Sequence, residues 1–329
     1  MAKNIEDARD SIFKKSNDPK GRPKIRGYDF ESGLDFDRFL ESYRFTGFQA
    51  SNLGKAVDII RRMRKEKDIT VFLGYSSNMV SSGLREVIAY LVRNRMVDVL
   101  VTTAGGIEED IIKTKNPFLL GEFDAPGAEL RKRGINRTGN IFVPNDRYIE
   151  FEKLMNKFLK KILERQINEN KVFSTSEFIH ELGREVEDEN SIYYWASRHG
   201  IPVLCPAITD GSIGDMIYFF KKDNPEFKID VTSDIVRIND LAINASKTGI
   251  ILLGSGIMKH HICNANMFRE GADYAVYINS NLEFDGSDSG AKPEEAKSWG
   301  KISADANTVK VYGDATIIFP LIVAGAFLK

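Results

Sequence analysis

The chain has 329 residues, a formal net charge of −1, 42% hydrophobic and 28% charged residues. This length can bury a large core, and the near-neutral charge excludes a general electrostatic field for holding nucleic acid. The sequence lacks both an apolar signal segment at its start and any apolar run near membrane-spanning length, which predicts a soluble, cytoplasmic protein. Its two cysteines, Cys205 and Cys263, lack metal-ligand spacing, so we expect reduced thiols and no metal site.

Residues 1–26 are polar and include the turn-rich stretch Asn17-Asp-Pro-Lys-Gly-Arg-Pro23. This composition predicts an N-terminal arm on a flexible tether. A short helix over residues 7–15 and a disordered tail are the two alternatives for the arm. Residues 27–329 are predicted to form one domain.

Short apolar runs alternate with helical patterns through most of that domain. The runs typical of buried strands cover residues 70–74, 97–102, 201–204, 249–253, 273–278 and 309–312. Strands this apolar, separated by helices, are typical of a parallel sheet covered on both faces. The sequence therefore predicts an α/β fold with a doubly wound, mostly parallel sheet of Rossmann-like type and helices on both faces.

Other patterns predict individual helices and surfaces. Asn145 opens a long helix with a core stripe that includes Phe151, Met155 and Phe158, and Ser174-Thr-Ser-Glu177 is a capping box that opens another helix. The basic cluster at residues 61–65 is expected to be a solvated helix face. The acidic run at residues 185–189 is expected to be an exposed turn.

The segment from Asp285 to Lys301 has the composition of an amine pocket. Its carboxylates can accept charge-assisted hydrogen bonds from ammonium groups, and the indole of Trp299 can cover the methylenes between them. An ordinary lysine amine, with a pKa of about 10.4, is neutral in roughly one molecule in 2,500 at pH 7. Burial favours the neutral amine and nearby carboxylates oppose it, but the charges of a bound polyamine would neutralise those carboxylates. The spacing alone leaves two alternatives for Lys301, a reactive amine and a solvated surface lysine.

This segment ends in the last of seven blocks that follow one another along nearly the whole chain. The blocks are Arg26-Gly-Tyr-Asp-Phe30, Gly47-Phe-Gln-Ala50, Phe72-Leu-Gly-Tyr-Ser-Ser-Asn78, Thr102-Thr-Ala-Gly-Gly-Ile-Glu-Glu-Asp110, Thr209-Asp-Gly-Ser-Ile-Gly-Asp215, Lys259-His-His261 and Glu295-Ala-Lys-Ser-Trp-Gly-Lys301. In content and order they resemble the deoxyhypusine synthase family.

The resemblance implies a specific transferase reaction. The enzyme would use NAD to move the 4-aminobutyl group of spermidine, through an enzyme-lysine imine, to one lysine of the eukaryotic translation initiation factor 5A precursor, releasing 1,3-diaminopropane. Residues 27–329 would then be a single NAD-binding catalytic domain. The resemblance also implies a homotetramer with sites at a dimer interface, where an N-terminal helix can cover a neighbouring subunit's site.

The resemblance places NAD on loops that follow strands and lead into helices, where open parallel sheets bind ligands. The expected cofactor residues are Ser77, Asn78, Met79, Val80, Ser81, Thr103, Ala104, Gly105, Glu109, Asp210, Ser280, Asn281, Asp285, Asp314 and Ala315. Small residues let the backbone approach phosphates, and acids suit ribose hydroxyls but disfavour a 2′-phosphate, so NAD is expected rather than NADP. For any single glycine or serine in this set, simple turn geometry is the alternative.

The resemblance assigns the polyamine, the nucleophile and the proton carrier to a second set. The expected residues are Glu108, Asp215, Asn264, Tyr277, Gly286, Ser287, Asp288, Glu295 and Trp299 for substrate, Lys301 as nucleophile and His260 for proton transfer. The histidine reference pKa of about 6.5 suits both acid and base roles. A purely structural role is the alternative for His260, and His261 is expected to point elsewhere. Ser255 stands where the family commonly has glycine, and we expect it to be tolerated.

Three other functions remain open at the level of sequence. A homospermidine synthase would use the same cofactor and lysine but transfer the butyl group to putrescine. A non-catalytic scaffold subunit of a hetero-oligomeric synthase would turn over poorly alone. A generic NAD-dependent dehydrogenase would release free NADH.

Overall fold

The computed structural model describes residues 4–328. The first three residues of the predicted arm and the last residue of the predicted domain lie outside the described residues. Within the described range, no helix combines the length and apolar character needed to cross a membrane. Cys205 and Cys263 are buried free thiols, which confirms the prediction that they are reduced.

The first half of the chain begins with helices and then alternates strands with helices. Its elements are α1 (Ile5–Ile12), a 3-10 turn (Phe30–Ser32), α2 (Phe36–Thr46), α3 (Phe48–Met63), β1 (Ile69–Tyr75), α4 (Ser77–Ser81), α5 (Leu84–Arg93), β2 (Val99–Val101), α6 (Ala104–Lys113), β3 (Leu119–Leu120), α7 (Gly127–Lys132), β4 (Ile135–Thr138), β5 (Ile141–Pro144) and α8 (Asn145–Glu169). The short helix predicted in the arm is therefore present as α1, which begins and ends earlier than expected.

The second half continues the alternation. Its elements are α9 (Thr175–Arg184), α10 (Ile192–His199), β6 (Val203–Leu204), α11 (Ser212–Asp223), α12 (Ser233–Ile243), β7 (Lys247–Leu253), α13 (Ile257–Met267), β8 (Ala272–Asn279), α14 (Pro293–Ser298), β9 (Ile302–Tyr312) and α15 (Ala315–Ala326). The capping box of α9 is confirmed, because the Ser174 side chain accepts from the Glu177 N–H and the Glu177 side chain accepts from the Ser174 N–H.

Six strands form one parallel sheet in the order β6-β2-β1-β7-β8-β9. Successive side chains of a strand point to opposite faces. In β1, Leu73 therefore packs into the core beneath α3 and α5, while Phe72 packs into a second core formed with α12 and α13. Two buried faces explain the apolar runs within these strands, and the predicted doubly wound α/β fold is confirmed.

The strand order reverses between β1 and β7. From β1 the chain adds β2 and then β6 on one side, whereas β7, β8 and β9 extend the other side. The loops that leave β1 and β7 meet here, where the Ser76 N–H donates to the Leu253 carbonyl at 3.2 Å. Such a switch point is where open α/β sheets bind ligands.

A second, antiparallel sheet, in the order β3-β5-β4, was not predicted from the sequence. Its strands are two to four residues long, and several of their side chains are exposed. Such strands lack the long apolar run by which a buried strand is recognised in a sequence. The strand β9 also begins earlier than predicted. Its pairing with β8 is irregular, since Ala272 pairs with Ile302 but Tyr274 pairs with Asn307.

Two surface predictions need correction. In the basic cluster, Arg61 Nε donates to the Gly325 carbonyl at 2.8 Å and Arg64 Nη1 donates to the Ala326 carbonyl at 2.6 Å, so the prediction of a purely solvated face is wrong for both. These cations bind the C-terminal end of α15, where the helix dipole favours positive charge. In the acidic run, Asp188 is not an exposed turn residue, because it accepts from Arg85 at 3.0 Å.

A buried ion pair fixes α6, the helix that carries Glu108 and Glu109. Arg85 Nε lies 2.7 Å from Asp110 Oδ1, and the two side chains are 5% and 0% exposed. Asp110 also accepts from the Ser191 hydroxyl and, at 3.1 Å, from the Ile192 N–H. The carboxylate therefore joins α6 to both α5 and α10.

We expect Asp110→Ala to lower the free energy of unfolding by about 3–5 kcal/mol, because it leaves the buried Arg85 charge unpaired. Urea denaturation measures the change. Glu86→Ala is the matched control, since Glu86 pairs with the same arginine at 3.4 Å through a side chain that is 53% exposed. The control should lose less than about 1 kcal/mol, and equal losses would contradict the prediction.

Candidate active site

The N-terminus of α6 lies against α4 at the carboxyl ends of β1 and β2. A Cβ on Gly105 would lie 2.7 Å from Ser77 Cβ, so only glycine allows the two segments to approach this closely. Thr103, which precedes α6, has a buried hydroxyl with no hydrogen-bond partner among the described residues. The free amides of a helix start and an unsatisfied hydroxyl suit an anionic, polyhydroxylated ligand.

Glu109 lies at the same edge of the sheet, and its carboxyl group has a raised pKa. Burial raises its pKa to about 7, an effect that the hydrogen bond from Ser81 partly offsets and the charge of Glu108 increases. The Ser81 hydroxyl donates to Glu109 Oε2. The Lys113 ammonium donates to the Val80, Ser81 and Ser82 carbonyls at 2.7–3.0 Å, and so caps the end of α4. Hydrogen bonds from Ser81 and Lys113 thus join α4 to α6, the two helices that carry predicted cofactor residues.

Three carboxylates, Glu108, Asp210 and Asp215, gather beside these two helices. Glu108 Oε2 accepts from the Ile213 N–H at 2.8 Å, which joins α6 to the start of α11. Burial raises the pKa of Glu108, and the charges of Asp215 and Asp210 raise it further. The Asp215 carboxylate makes no hydrogen bond or ion pair with other residues in the range 4–328. Like charges held this close favour a bound cation.

The loops after β7 and β8 also meet each other. The Asn281 side-chain amide donates to Ser255 Oγ, and the Asn281 N–H donates to Asn279 Oδ1 at 3.1 Å. Ser255 therefore makes a contact that a glycine could not make. The last predicted cofactor pair begins α15, where Asp314 caps the helix by accepting from the Thr316 N–H at 2.9 Å and Ala315 is the first helical residue. Ser280 is exposed beside them.

The Trp-Gly-Lys segment is shaped by the end of α14. The Gly300 N–H donates to the Lys297 carbonyl and the Lys301 N–H donates to the Ala296 carbonyl, both at 3.0 Å. These two hydrogen bonds form a Schellman motif, which requires the left-handed backbone conformation that Gly300 adopts with φ +69°. The helix end therefore fixes the directions of Trp299 and Lys301.

The Lys301 side chain is withdrawn from water without a counter-ion. The residue is 9% exposed, and its Nζ lies 5.5 Å from the centroid of the Trp299 ring. Among residues 4–328, no carboxylate lies within ion-pair distance of Nζ, and no side-chain hydrogen bond reaches it. Its carbonyl accepts from the Ala272 N–H at 3.2 Å, so the lysine enters from the amino end of the sheet, opposite to the cofactor loops.

His260 and Asp288 face each other next to this lysine's segment. His260 Nδ1 lies 3.7 Å from Asp288 Oδ1, and the histidine side chain is about half exposed. Asp288 Oδ2 is buried without a hydrogen-bond partner, which leaves it able to accept from a ligand. Asn264 lies one turn after His260 on α13 and shares its face. His261 is mostly buried near Asp234, as predicted for a residue that points elsewhere.

The remaining predicted substrate residues differ in accessibility. Asp285 Oδ1 accepts from the Ser287 N–H at 2.9 Å, and this turn exposes Gly286 and Ser287. Tyr277 is fully buried; its hydroxyl lies 3.4 Å from Cys263 Sγ, and Lys259 Nζ lies 5.1 Å from its ring centroid. In this conformation Tyr277 supports Lys259 and offers no surface to a substrate.

Most of the predicted site residues thus fall into two groups in one chain. The carboxylate group contains Glu108, Glu109, Asp210 and Asp215 with α4 and the start of α6, and the lysine group contains His260, Asp288, Glu295, Trp299 and Lys301 with Asn264. No hydrogen bond or ion pair between described residues joins the two groups. A cavity of about 720 Å³ lies elsewhere, between α9, α10 and α12, and none of the predicted residues lines it.

Sequence reasoning assigned no role to two buried lysines beside the lysine group, Lys259, which lies in one of the seven blocks, and Lys310. Both donate to carbonyls of the loop that carries Asp288. The pattern that could have found Lys310 is a single charge inside the apolar strand run Val309-Lys-Val-Tyr312.

Comparisons with known proteins agree on one family. The family model described as deoxyhypusine synthase matches residues 38–326. A deoxyhypusine synthase of Senecio vernalis is 50% identical over 98% of this chain and 94% of its own length. Homospermidine synthase 2 of the same plant is 49% identical over the same shares.

A solved structure extends the likeness to the fold. The crystal structure of a protein from Entamoeba histolytica, named as a candidate deoxyhypusine synthase, has a TM-score of 0.70 and 32% identity, covering 92% of this chain and 97% of the other. On the family model, these identities and this fold, the chain belongs to the deoxyhypusine synthase family of transferases.

Proposed function

We propose that the protein is a deoxyhypusine synthase that moves the 4-aminobutyl group of spermidine to one lysine of the translation initiation factor 5A precursor. The observation that carries this proposal is the amine of Lys301, which is buried beside an indole and has no anionic partner among the described residues. An amine that is not held in an ion pair can lose its proton and act as a nucleophile. A lysine that served only the fold would be expected to have a partner.

The carboxyl edge of the sheet fits NAD. The unsatisfied Thr103 hydroxyl, the close approach at Gly105 and the partly buried Glu109 suit phosphate and ribose groups. The chemistry that bound NAD would supply is hydride transfer, first from the spermidine carbon beside the secondary amine and finally to the product imine. The chain's own task is to orient that carbon and to exclude water.

Carboxylates without partners would hold the polyamine. The Asp215 and Glu295 side chains have no hydrogen bond or ion pair in the described part of the chain, and Asp288 keeps one oxygen unsatisfied. Ammonium groups of spermidine would complete these contacts with charge-assisted hydrogen bonds.

Lys301 Nζ would attack the imine carbon of the oxidised substrate. A bond forms between Nζ and that carbon, and the bond from the carbon to the 1,3-diaminopropane nitrogen breaks, which leaves the butylimine on the lysine. His260 would pass a proton to the departing amine, since its ring is accessible and faces Asp288. Transfer to the acceptor lysine repeats the exchange in the opposite direction.

A second copy of the chain would complete the site. Within the described chain no hydrogen bond or ion pair joins the carboxylate group to the lysine group, and Trp299 remains 64% exposed. The reaction needs both groups around one substrate and little water, because an imine hydrolyses readily. We therefore propose a homotetramer in which each site takes residues from two subunits. The exposed helix α1 would be placed to cover a neighbouring subunit's site.

Lys301→Ala should abolish the lysine-bound butylimine and leave NAD affinity within about twofold, because the change removes only the nucleophile. Borohydride trapping followed by mass spectrometry detects the intermediate. Lys301→Arg should fail as well, since a guanidinium stays protonated. Aminobutyl transfer at the wild-type rate by either variant would contradict the assignment.

NAD affinity should fall as the pH drops through about 7, because Glu109 then gains a proton and loses acceptor capacity for ribose hydroxyls. The dissociation constant at pH 6 should exceed that at pH 8 by up to about tenfold, as expected for one group with this pKa. Glu109→Gln should bind more weakly and with a flat profile, measured by titration calorimetry. A profile of unchanged shape in the variant would assign the pH dependence to another group.

Competition between acceptors separates deoxyhypusine synthase from homospermidine synthase, which the Senecio vernalis relative makes the specific alternative. The enzyme is incubated with labelled spermidine, NAD and equal concentrations of precursor protein and putrescine. Mass analysis should find most of the label on the protein. Label mainly in homospermidine would favour a homospermidine synthase. Release of free NADH would indicate a dehydrogenase, and the absence of turnover would indicate a scaffold subunit.

A further inference from the structure

Two buried lysines hold the loop of residues 280–292, which carries predicted residues of both the cofactor and the substrate. Lys259 is 2% exposed and Lys310 is 6% exposed. Lys310 makes no ion pair with a carboxylate in the range 4–328, and Lys259 has only Asp288 Oδ2, at 3.9 Å. A buried ammonium is costly unless it is well hydrogen-bonded. The groups that accept hydrogen bonds from these two ammonium groups therefore indicate what the lysines do.

Lys310 donates to two carbonyls at opposite ends of this loop. Its Nζ lies 2.7 Å from the Asn281 carbonyl and 2.6 Å from the Gly290 carbonyl. The ring of Tyr312 covers the ammonium at 4.3 Å from its centroid. All three contacts are geometrically specific, so the ammonium clamps the two ends of the loop together.

The two ends belong to different halves of the proposed site. Asn281 is a predicted cofactor residue, and its amide donates to Ser255 in the loop after β7. Gly290 belongs to a turn in which the Gly290 N–H donates to Ser287 and the Ala291 N–H donates to Asp288, both predicted substrate residues. A continuous set of hydrogen bonds therefore runs from Ser255 through Asn281, Lys310 and the turn at Gly290 to Asp288.

We propose that Lys310 is a positioning residue that couples NAD binding to polyamine binding by fixing the cofactor end and the substrate end of this loop to one ammonium group. The inference rests on the proposed function, and it adds that each ligand improves the site of the other. A cofactor that orders Asn281 fixes Lys310, and Lys310 then fixes the turn that presents Asp288. By linkage, spermidine must tighten cofactor binding by the same factor.

Lys259 provides an internal comparison. It donates to the Asp288 and Ala291 carbonyls, both on the substrate side, and to no carbonyl on the cofactor side. Loss of Lys259 should therefore weaken polyamine binding and leave cofactor binding in the absence of polyamine unchanged. The two lysines are close enough that the charge of Lys259 contributes, after burial, to lowering the pKa of Lys310 to about 8. At pH 7 the Lys310 ammonium is still mostly protonated.

The test measures NADH affinity by fluorescence at pH 7, with and without saturating spermidine. NADH cannot accept a hydride, so spermidine binds without reacting. In the wild-type enzyme spermidine should tighten NADH binding by about fivefold or more, within the usual range of coupling between sites. The coupling ratio is the NADH dissociation constant without spermidine divided by that with spermidine. In Lys310→Met, which keeps the aliphatic stem but removes the donors, this ratio should fall to between about one and two.

Two further variants distinguish coupling from damage to the fold. Lys310→Arg can still bridge two carbonyls and should restore a ratio of at least about threefold. Lys292→Met is the matched control, because Lys292 lies in the same loop but pairs with Glu283 through a side chain that is 51% exposed. It should keep the wild-type ratio. A Lys310→Met protein that binds NADH and spermidine more weakly but keeps the wild-type ratio would overturn the inference. A Lys310→Arg protein whose ratio is no higher than that of Lys310→Met would also overturn it.

If Lys310→Met does not fold, Ser255→Gly takes its place, because it removes the hydroxyl that accepts from the Asn281 side-chain amide. Its ratio should fall below half of the wild-type ratio, and an unchanged ratio would overturn the route through Asn281. Failure of the inference differs from failure of the proposed function. A wild-type enzyme that binds both ligands without coupling contradicts only the inference, whereas one that binds neither NADH nor spermidine contradicts the function.

Discussion

An amine held out of water without a counter-ion is the constraint on which the site depends. The Lys301 residue is 9% exposed, and in the described chain its amine lies against the face of Trp299 with no carboxylate within ion-pair distance. That arrangement is stable only if the backbone gives the side chain no other position. The end of α14 supplies this restriction, since Gly300 turns the chain and two hydrogen bonds to the helix fix the turn.

The same restriction explains the geometry of the wider site. Lys301 enters from the amino end of the sheet, while the cofactor loops leave from the carboxyl end. The helix α13 joins the two levels, because it begins at the loop after β7 and carries His260 near its start and Cys263 deeper in the core. The proposed polyamine would extend between these two levels. Single carboxylates placed along it would each hold one ammonium group.

The sheet could be predicted from the sequence because its physics is regular. The run Val71-Phe-Leu73 is apolar because helices cover both faces of the strand, and the same reason explains the apolar runs within β7 and β8. The short strands around Phe142 have no such pattern, and only contacts across their small sheet define them. The site residues were reached through a family resemblance carried by motifs. Lys310 was missed because donation to backbone carbonyls leaves no trace in the types of the residues that accept.

Acceptor choice, on the proposed chemistry, is separate from the nucleophile. A deoxyhypusine synthase and a homospermidine synthase of one plant are equally similar to this chain, at 50% and 49% identity over the same length. The groups proposed to form an imine on Lys301 would serve either acceptor, because both offer a primary amine to the same carbon. A folded protein differs from putrescine in the surface that it brings, and beside the lysine group Trp299 is 64% exposed and Phe284 is 89% exposed. On this proposal, discrimination between the acceptors would belong to such exposed apolar groups, while Lys301 would set only the chemistry.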